Sequence, residues 1–378
     1  MSLTARQLNR ATLERQLLLH RESIGVVDAA HRIVALQAQE AASPYLAMWN
    51  RLARFDPIEL DAAFTDHSLV KASLMRITLH AVHAEDYPAF HNAMVSSLRA
   101  SRLYDRRYKS TGLTVADADA FLPHLLAFAA QPRTKTEFEA LIETRLGLPQ
   151  PRMWWAQRTF APLMHCVSGG PWSFGPRPAY VAARPEPLQD DRDESIQWLA
   201  LRYLQAFGPA TAHDFAQFTL LTRAVARQAM KALTVVGTVH KLEGPDGIEL
   251  FDVPGACLPD EDTPAPPRLM AMWDLVLLAH ADRSRVIPPD YRKLVTRVNG
   301  DVLPTLLVDG YVAGVWRPVG AGIEATAFHR LSEQAWDGLA AEARALVAFL
   351  ADRDPTVYRR YSHWWAKLPS AEVRVLPG

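Results

Sequence analysis

The sequence has few cysteines, no long apolar run and no excess of charge of either sign. Cys166 and Cys257 are far apart and have no partners at metal-ligand spacing, which argues against a disulfide framework and a zinc site. His80 and His83 have HxxH spacing but no third ligand, so we expect structural histidines, with no metal and no other cofactor. No apolar stretch reaches the ~20 residues of a spanning helix, and the first residues lack a signal-peptide core. We therefore expect a cytoplasmic protein without a membrane partner.

The charges balance, with 41 Lys and Arg residues against 41 Asp and Glu residues. This balance argues against binding to nucleic acid through overall charge, but the basic residues are unevenly distributed. One cluster is interleaved with Tyr104 and Tyr108 and comprises Arg99, Arg102, Arg106, Arg107 and Lys109. A second comprises Arg283, Arg285, Arg292, Lys293 and Arg297. Each could neutralise DNA phosphates or form an ordinary solvated face, and the tyrosine-containing cluster is the better DNA-binding candidate, because arginine and aromatic rings suit backbone contacts and stacking.

Hydrophobic periodicity and turn residues predict an α+β fold that is mainly α. We predict helices at residues 3–19, 28–39, 45–55, 57–64, 87–102, 116–130, 134–146, 153–164, 196–205, 211–219, 222–232 and 333–350. We predict strands at residues 70–75, 76–82, 235–240, 248–253, 302–308 and 311–317. The turn Asp309-Gly310 between two apolar runs is a strong signal for a type I′ hairpin.

Short helices followed by a β-ribbon are typical of a winged helix, and this order recurs along the chain. It predicts winged-helix domains at residues 1–85, 86–189 and 190–263, followed by a C-terminal hairpin and helix section at 264–378. Proline-rich and acidic stretches at residues 176–194 and 259–267 are the candidate linkers.

The apolar run from Ile33 ends in two glutamines one residue apart, Gln37 and Gln39. In the predicted helix, residues i and i+2 point to different faces, so the two amides converge only where the helix ends or is distorted. Ser43-Pro44 predicts such an end nearby. Taken alone, the residues favour a plainer arrangement, with one glutamine on a solvated face and the other assisting a helix cap.

Three motifs together resemble the AlkZ-type DNA glycosylases of the bacterial tandem winged-helix DNA-binding family. They are Leu36-Gln37-Ala38-Gln39, Phe207-Gly208-Pro209-Ala210-Thr211, and Leu303 to Gly310 with Trp316-Arg317. The resemblance covers nearly the whole chain and implies three tandem winged helices in a C-shape around duplex DNA. It also implies hydrolysis of the N-glycosidic bonds of N7-alkylated purines, and resistance to a crosslinking natural product such as azinomycin. The family's motif of glutamine, hydrophobic residue, then glutamine or aspartate maps onto Gln37, Ala38 and Gln39.

A pair of glutamines restricts the chemistry, because an amide offers only an acceptor oxygen and two N–H donors and does not ionise near neutrality. Such a pair can orient a water and stabilise partial charge. This suffices when the leaving base is already positively charged, as an N7-alkylated purine is. We therefore expect a monofunctional glycosylase that acts as a monomer on duplex DNA with alkylated or crosslinked purines. The alternative is a non-enzymatic tandem winged-helix regulator or drug-sequestering protein.

Two further features are candidates for the site. The hairpin turn formed by Asp309, Gly310 and Tyr311 could insert into a DNA groove, although it could equally be an ordinary sheet edge. Asp274 lies in an apolar run and matches a recurrent aspartate of the family, so it could lie near the site. A capping or salt-bridging role for this carboxylate is at least as consistent with the sequence.

Overall fold

The computed structural model describes residues 2–183 and 191–377. The fold is α+β and rich in helix, as predicted. It begins with α1 (Ala5–Arg15). The candidate linker at 176–194 is partly wrong, because Ala179–Ala182 form a strand; its residues 184–190 lie outside the described part. Within the described ranges, no helix combines the length and apolar character needed to cross a membrane.

Residues 26–83 follow the order helix, strand, helix, helix, strand, strand. The elements are α2 (Val26–Arg32), β1 (Leu36–Gln37), α3 (Ser43–Arg51), α4 (Pro57–Thr65), β2 (Leu69–Ser73) and β3 (Leu79–His83). The strands form an antiparallel sheet in the order β1-β3-β2, which confirms the predicted ribbon. Pro44 lies in the first turn of α3, so it starts this helix rather than ending the preceding one.

Two helices then lead to a second segment with the same order of elements. They are α5 (Tyr87–Leu103) and α6 (Arg106–Lys109). The second segment comprises α7 (Val115–Phe128), β4 (Arg133–Thr134), α8 (Lys135–Leu146), α9 (Pro151–Phe160), β5 (Leu163–Cys166) and β6 (Ala179–Ala182). As in the first segment, the first strand pairs with the last, here β4 with β6. A capping box starts α8, where Thr134 and Glu137 exchange hydrogen bonds.

The third segment comprises α10 (Arg192–Phe207), α11 (Ala212–Thr219), α12 (Arg223–Val235), β7 (His240–Glu243) and β8 (Glu249–Asp252). A single bridge between Ala210 and Phe251 replaces the first strand of the other segments. The strand predicted at residues 235–240 is misplaced, because α12 continues to Val235 and β7 begins at His240. The stretch 259–267 contains no helix or strand, which agrees with the prediction of an irregular connection.

The C-terminal section is built around a five-stranded antiparallel sheet in the order β13-β12-β11-β10-β9. Its elements are β9 (Arg268–Leu269), α13 (Arg292–Val295), β10 (Thr305–Val308), β11 (Tyr311–Val319), β12 (Gly322–Ala327), α14 (Glu333–Ala351) and β13 (Glu372–Pro377). Asp309 and Gly310 have φ of 49° and 80°, as a type I′ turn requires, so the predicted hairpin is confirmed. The predicted long helix is confirmed as α14, which packs on this sheet.

The segments share one continuous core rather than separate cores. The N-terminal helix illustrates this, because α1 packs on α10 of the third segment and not only on its neighbours in sequence. Arg15 of α1 makes a buried bidentate ion pair with Asp252, with N–O distances of 2.7 and 2.8 Å. The start and the middle of the chain are therefore held together by a charged contact inside the core.

Three histidines are buried in the neutral form, because burial lowers the pKa of His80 and His91 to about 4 and that of His280 to about 3. In the unfolded chain they take up protons near pH ~6.5, whereas in the folded protein they stay neutral to much lower pH. Their stabilising contribution is therefore present above pH ~6.5 and is lost as the pH falls towards the folded values.

We predict that the free energy of unfolding decreases as the pH is lowered from ~7 to ~5, by up to roughly 1.4 kcal/mol per pH unit for each of these histidines. Urea unfolding at several pH values measures this. In a His91→Gln variant the pH dependence should weaken, since one proton-linked group is removed. An unfolding free energy that stays constant between these pH values would contradict the prediction.

Candidate active site

Gln37 lies on a strand and Gln39 lies on the bend that follows it, so the predicted helix at residues 28–39 is wrong beyond Arg32. The chain turns at Val34, whose φ is 75°, and β1 starts at Leu36. β1 pairs with β3, with Gln37 directly opposite His80. A short apolar run fits a buried strand as well as a helix, which is why its periodicity misled the prediction.

The end of β1 brings the two glutamines together. The strand ends at Gln37, and the backbone N–H of Ala38 extends the ladder by donating to the carbonyl of Leu79 at 2.9 Å. The backbone N–H of Gln39 donates to Oε1 of Gln37 at 3.0 Å. Gln37 is buried and Gln39 is exposed. The pair thus consists of one fixed amide and one amide open to solvent.

Both glutamines border a cavity of about 350 Å³. Its walls come from the β1–β3 region, from the segment around residues 273–278 and from the turn at residues 299–301. Besides the glutamines, the lining residues are Arg76, Thr78, His80, Trp273, Leu275, Leu278, Asn299, Gly300 and Asp301. The cavity therefore combines an apolar wall with several polar groups, as ligand-binding sites usually do.

His80 supplies an uncharged acceptor beside Gln37. Its Nδ1 lies 3.1 Å from the carbonyl oxygen of Thr78, which can only accept, so Nδ1 carries the proton. Burial lowers the pKa of His80 to about 4, which keeps the imidazole neutral at pH 7. Nε2 has no hydrogen-bond partner among the residues that the structure describes. The expected structural role thus accounts for Nδ1 only, and the buried Nε2 is left for a water or a substrate.

The turn from Arg297 to Asp301 forms the rim of the cavity and is held by two tryptophans. Trp364 Nε1 donates to Asp301 Oδ2 at 2.9 Å, and Trp273 Nε1 donates to the carbonyl of Gly300 at 3.0 Å. Val298 at the tip of the turn is completely exposed. Two side-chain hydrogen bonds thus hold this rim, which has an exposed apolar tip.

Asp274 does not line the cavity, but it stabilises the segment that forms one of its walls. Its carboxylate makes a bidentate pair with Arg51 of α3, with N–O distances of 2.7 and 2.8 Å, and both side chains are 1% exposed. It also accepts from the backbone N–H of Val276 at 3.1 Å. The salt-bridging and capping alternative is therefore the one observed, and it joins α3 to the segment that carries Trp273 and Leu275.

The first basic cluster surrounds a tryptophan. The guanidinium carbons of Arg102, Arg107 and Arg152 lie 4.7, 4.8 and 5.6 Å from the ring centroid of Trp155. The ring is partly exposed, unlike that of Trp154. Sequence reasoning did not connect Arg152 and Trp155 with this cluster, because residues of α9 are distant from it along the chain.

The other members of this cluster differ in their partners. Arg99 pairs with Asp119 at 2.5 Å. Arg106 and Lys109 are exposed, and the Lys109 ammonium lies 5.5 Å from the ring centroid of Tyr104. Tyr108 is fully buried, so Tyr104 alone of the two tyrosines can meet a ligand.

The second basic cluster is split by the fold. Arg285 donates to the carbonyl of Pro209 at 2.8 Å and Arg283 to that of Leu277 at 2.6 Å. These two guanidinium groups hold backbone carbonyls in place, which makes them unsuitable as phosphate ligands. Arg292 and Lys293 are exposed on α13.

The turn of Asp309, Gly310 and Tyr311 is packed against α1, so we do not propose that it inserts into a DNA groove. Arg6 and Arg10 both donate to the Asp309 carboxylate. A Cβ at Gly310 would lie 2.6 Å from side-chain atoms of α1. Tyr311 is partly exposed and lines a separate cavity of about 740 Å³. This packing gives the turn a structural role, although β10 and β11 are inner strands of the sheet and not the ordinary sheet edge of the alternative.

We predict that Asp274→Asn lowers the free energy of unfolding by roughly 3–5 kcal/mol, because Arg51 would remain buried without its counter-charge. Denaturant unfolding measures the decrease. Asp337→Asn, an exposed aspartate on α14, is the matched control and should change the stability by less than ~0.5 kcal/mol. Equal stability of the two variants would contradict the role given to the ion pair.

Comparisons with known proteins agree with this architecture. The interstrand DNA cross-link repair glycosylase of Streptomyces sahachiroi is 23% identical over 357 residues, covering 87% of this chain and 91% of that protein. The solved structure of Streptomyces sahachiroi DNA glycosylase AlkZ matches with a TM-score of 0.76 at 20% identity, covering 90% of this chain and 95% of that one, so the two share a fold. A family model described as DNA glycosylase AlkZ-like matches residues 30–349. Because this match spans most of the chain and includes the glutamine pair, the protein belongs to the AlkZ-like DNA glycosylase family.

Proposed function

We propose that this protein hydrolyses the N-glycosidic bonds of N7-alkylated purines in duplex DNA, including purines in interstrand crosslinks left by a natural product such as azinomycin. The observation that carries the proposal is the pair Gln37 and Gln39, which lies at the end of β1 and lines one cavity with both residues. Family membership supports the class of reaction, and the relative named for cross-link repair supports the class of lesion.

Gln37 and Gln39 have different roles in binding the attacking water. The Gln37 amide is oriented by the Gln39 backbone N–H, which occupies one lone pair of Oε1. Its second lone pair and its N–H donors are left for a water or a sugar oxygen. The Gln39 side chain is exposed and makes no hydrogen bond with the described residues, so it is free to close on DNA. Together they orient a water for attack on C1′ of the deoxyribose.

The charge of the lesion explains why the site needs no acid. When the C1′–N9 bond of an N7-alkylated purine breaks, the bonding electrons neutralise the positive purine, and no acid is required. An unmodified purine would need a proton in order to leave. The His80 imidazole cannot supply it, since burial lowers its pKa to about 4. The proposed site therefore selects charged bases by chemistry as well as by shape.

The position of Lys71 supports a monofunctional enzyme. Burial lowers the pKa of this lysine to about 8, a value that suits the amine nucleophile of a lyase. However, Lys71 pairs with Ala81 while Gln37 pairs with His80, so the lysine lies on the opposite face of the sheet. Its Nζ is 3.9 Å from the ring centroid of Phe174, away from the cavity. Attack by this amine on the abasic sugar is not expected.

DNA binding is proposed for two surfaces. The arginines around Trp155, with exposed Arg106 and Lys109, provide phosphate ligands and a ring for stacking. The turn carrying Val298 brings an apolar tip to the rim of the cavity, where it can wedge between bases. We further propose that the three segments of repeated element order are winged helices in a C-shaped arrangement around the duplex, and that the protein acts as a monomer.

Gln37→Ala and Gln39→Ala should each reduce the single-turnover rate of 7-methylguanine release from duplex DNA by roughly 100-fold, because each removes one preorganised amide. Release of the free base is measured by chromatography. Gln334→Ala, an exposed glutamine on α14, is the matched control and should retain full activity.

Two outcomes would contradict the proposed function. If the wild-type protein binds the duplex tightly but releases no base, it is the non-enzymatic regulator or drug-sequestering protein. If both glutamine variants release base at the wild-type rate, the chain is a glycosylase with a different catalytic site.

Replacing Arg106 and Lys109 together by alanine should weaken duplex binding, with a slope of log affinity against log salt that is smaller by about 1 for each phosphate ligand removed. Fluorescence anisotropy at several salt concentrations measures the slope. Arg344→Ala on α14 removes an exposed arginine outside the cluster and should leave the slope unchanged. The same slope in the double variant and the wild type would exclude this surface from DNA binding.

A further inference from the structure

Breaking the N-glycosidic bond creates a charge that two amides stabilise only in part. As the base departs, the deoxyribose becomes an oxocarbenium-like cation, and the attacking water must lose a proton. Glycoside-cleaving enzymes meet both needs with a carboxylate. A glutamine amide carries no charge and takes up no proton near neutrality. The glutamine pair therefore leaves room for an anionic partner in the same cavity.

Asp301 is the acidic residue among the described residues that line this cavity. We propose that Asp301 is a catalytic residue that stabilises the sugar cation and accepts the proton of the attacking water. The proposal rests on the glycosylase function set out above. It deepens that function by assigning the charge-bearing part of the reaction to a residue outside the Gln-Ala-Gln motif.

The carboxylate is held with one oxygen fixed and the other free. Oδ2 accepts from Trp364 Nε1 at 2.9 Å and from Asn299 Nδ2 at 3.0 Å. The backbone N–H of Asp301 donates to Asn299 Oδ1 at 3.1 Å, which closes the turn. Oδ1 has no hydrogen-bond partner among the described residues. A group fixed in this way needs little reorganisation when charge develops opposite it, which is the condition for effective electrostatic catalysis.

The negative charge of Asp301 is not neutralised by an ion pair. None of the salt bridges within the described part of the chain includes this carboxylate. Arg76, the cationic residue of the cavity, directs its Nη1 to the carbonyl of Leu278 at 3.3 Å. His80 is neutral because burial lowers its pKa to about 4. The negative charge thus remains available to a cation formed in the cavity.

The reaction balances with these groups. The C1′–N9 bond breaks and its electron pair stays on the purine, which leaves as a neutral base. The water oxygen held by Gln37 and Gln39 bonds to C1′, and its proton passes to Oδ1 of Asp301 and then to solvent. The products are the abasic site, the alkylated base and one proton.

Asp301→Asn tests the proposal, because asparagine retains an acceptor for Trp364 and removes the charge. The single-turnover rate of 7-methylguanine release should fall by roughly 100-fold or more, whereas duplex affinity should be unchanged or higher, since a negative charge near the phosphates is removed. In Asp301→Ala, added formate should restore part of the rate by supplying a carboxylate. A merely structural role would weaken binding and would show no rescue. Asp290→Asn, an exposed aspartate, is the control and should keep the wild-type rate.

A rate for Asp301→Asn within threefold of the wild type would overturn the proposal while leaving the glycosylase function intact, since the wild type still releases base in the same assay. Absence of release by the wild type would instead overturn the proposed function. If substitution at Asp301 prevents folding, Trp364→Phe decides the matter by removing one donor that positions the carboxylate. It should lower the rate roughly tenfold at unchanged affinity, and an unchanged rate would count against Asp301.

Discussion

The antiparallel pairing of β1 with β3 is the interaction on which the candidate site depends. It keeps the chain extended through Gln37, so that this glutamine and Gln39 both line the cavity, and it places His80 opposite Gln37. A shift of the pairing by one residue would turn the glutamines to the face that holds Lys71. The buried pair of Arg51 and Asp274 then fixes α3, which follows β1, against the segment that closes the cavity.

The proposed chemistry depends on which of these side chains can carry a charge or give up a proton near neutral pH. Gln37 and Gln39 have no proton to give, and His80 is kept neutral by burial, so the proposed reaction requires that the positive charge is already on the lesion. In the same proposal, Asp301 stabilises the charge once it has moved to the sugar. The proposed selectivity for alkylated purines follows from this distribution of charge, whereas the proposed lack of a lyase step follows from the position of Lys71 on the other face of the sheet.

Sequence reasoning predicted the features that depend on local chemistry. The β2–β3 ribbon, the Asp309-Gly310 turn and helix α14 follow from alternation, turn residues and amphipathic spacing. Features that depend on packing between distant segments were not predictable. The strand at Gln37 needed its partner β3, and the burial of the Asp309 turn needed α1. No sequence pattern identified Asp301, because its turn and the glutamine pair line the same cavity only in the folded protein.

The central claim is that an uncharged amide pair releases only bases that already carry positive charge. It is tested most directly by single-turnover release of two purines from otherwise identical duplexes at neutral pH, 7-methylguanine and the neutral lesion hypoxanthine. The account predicts enzyme-dependent release of 7-methylguanine and no release of hypoxanthine above background. Release of both bases at comparable rates would contradict it, because the site would then have to supply a proton that its residues cannot provide.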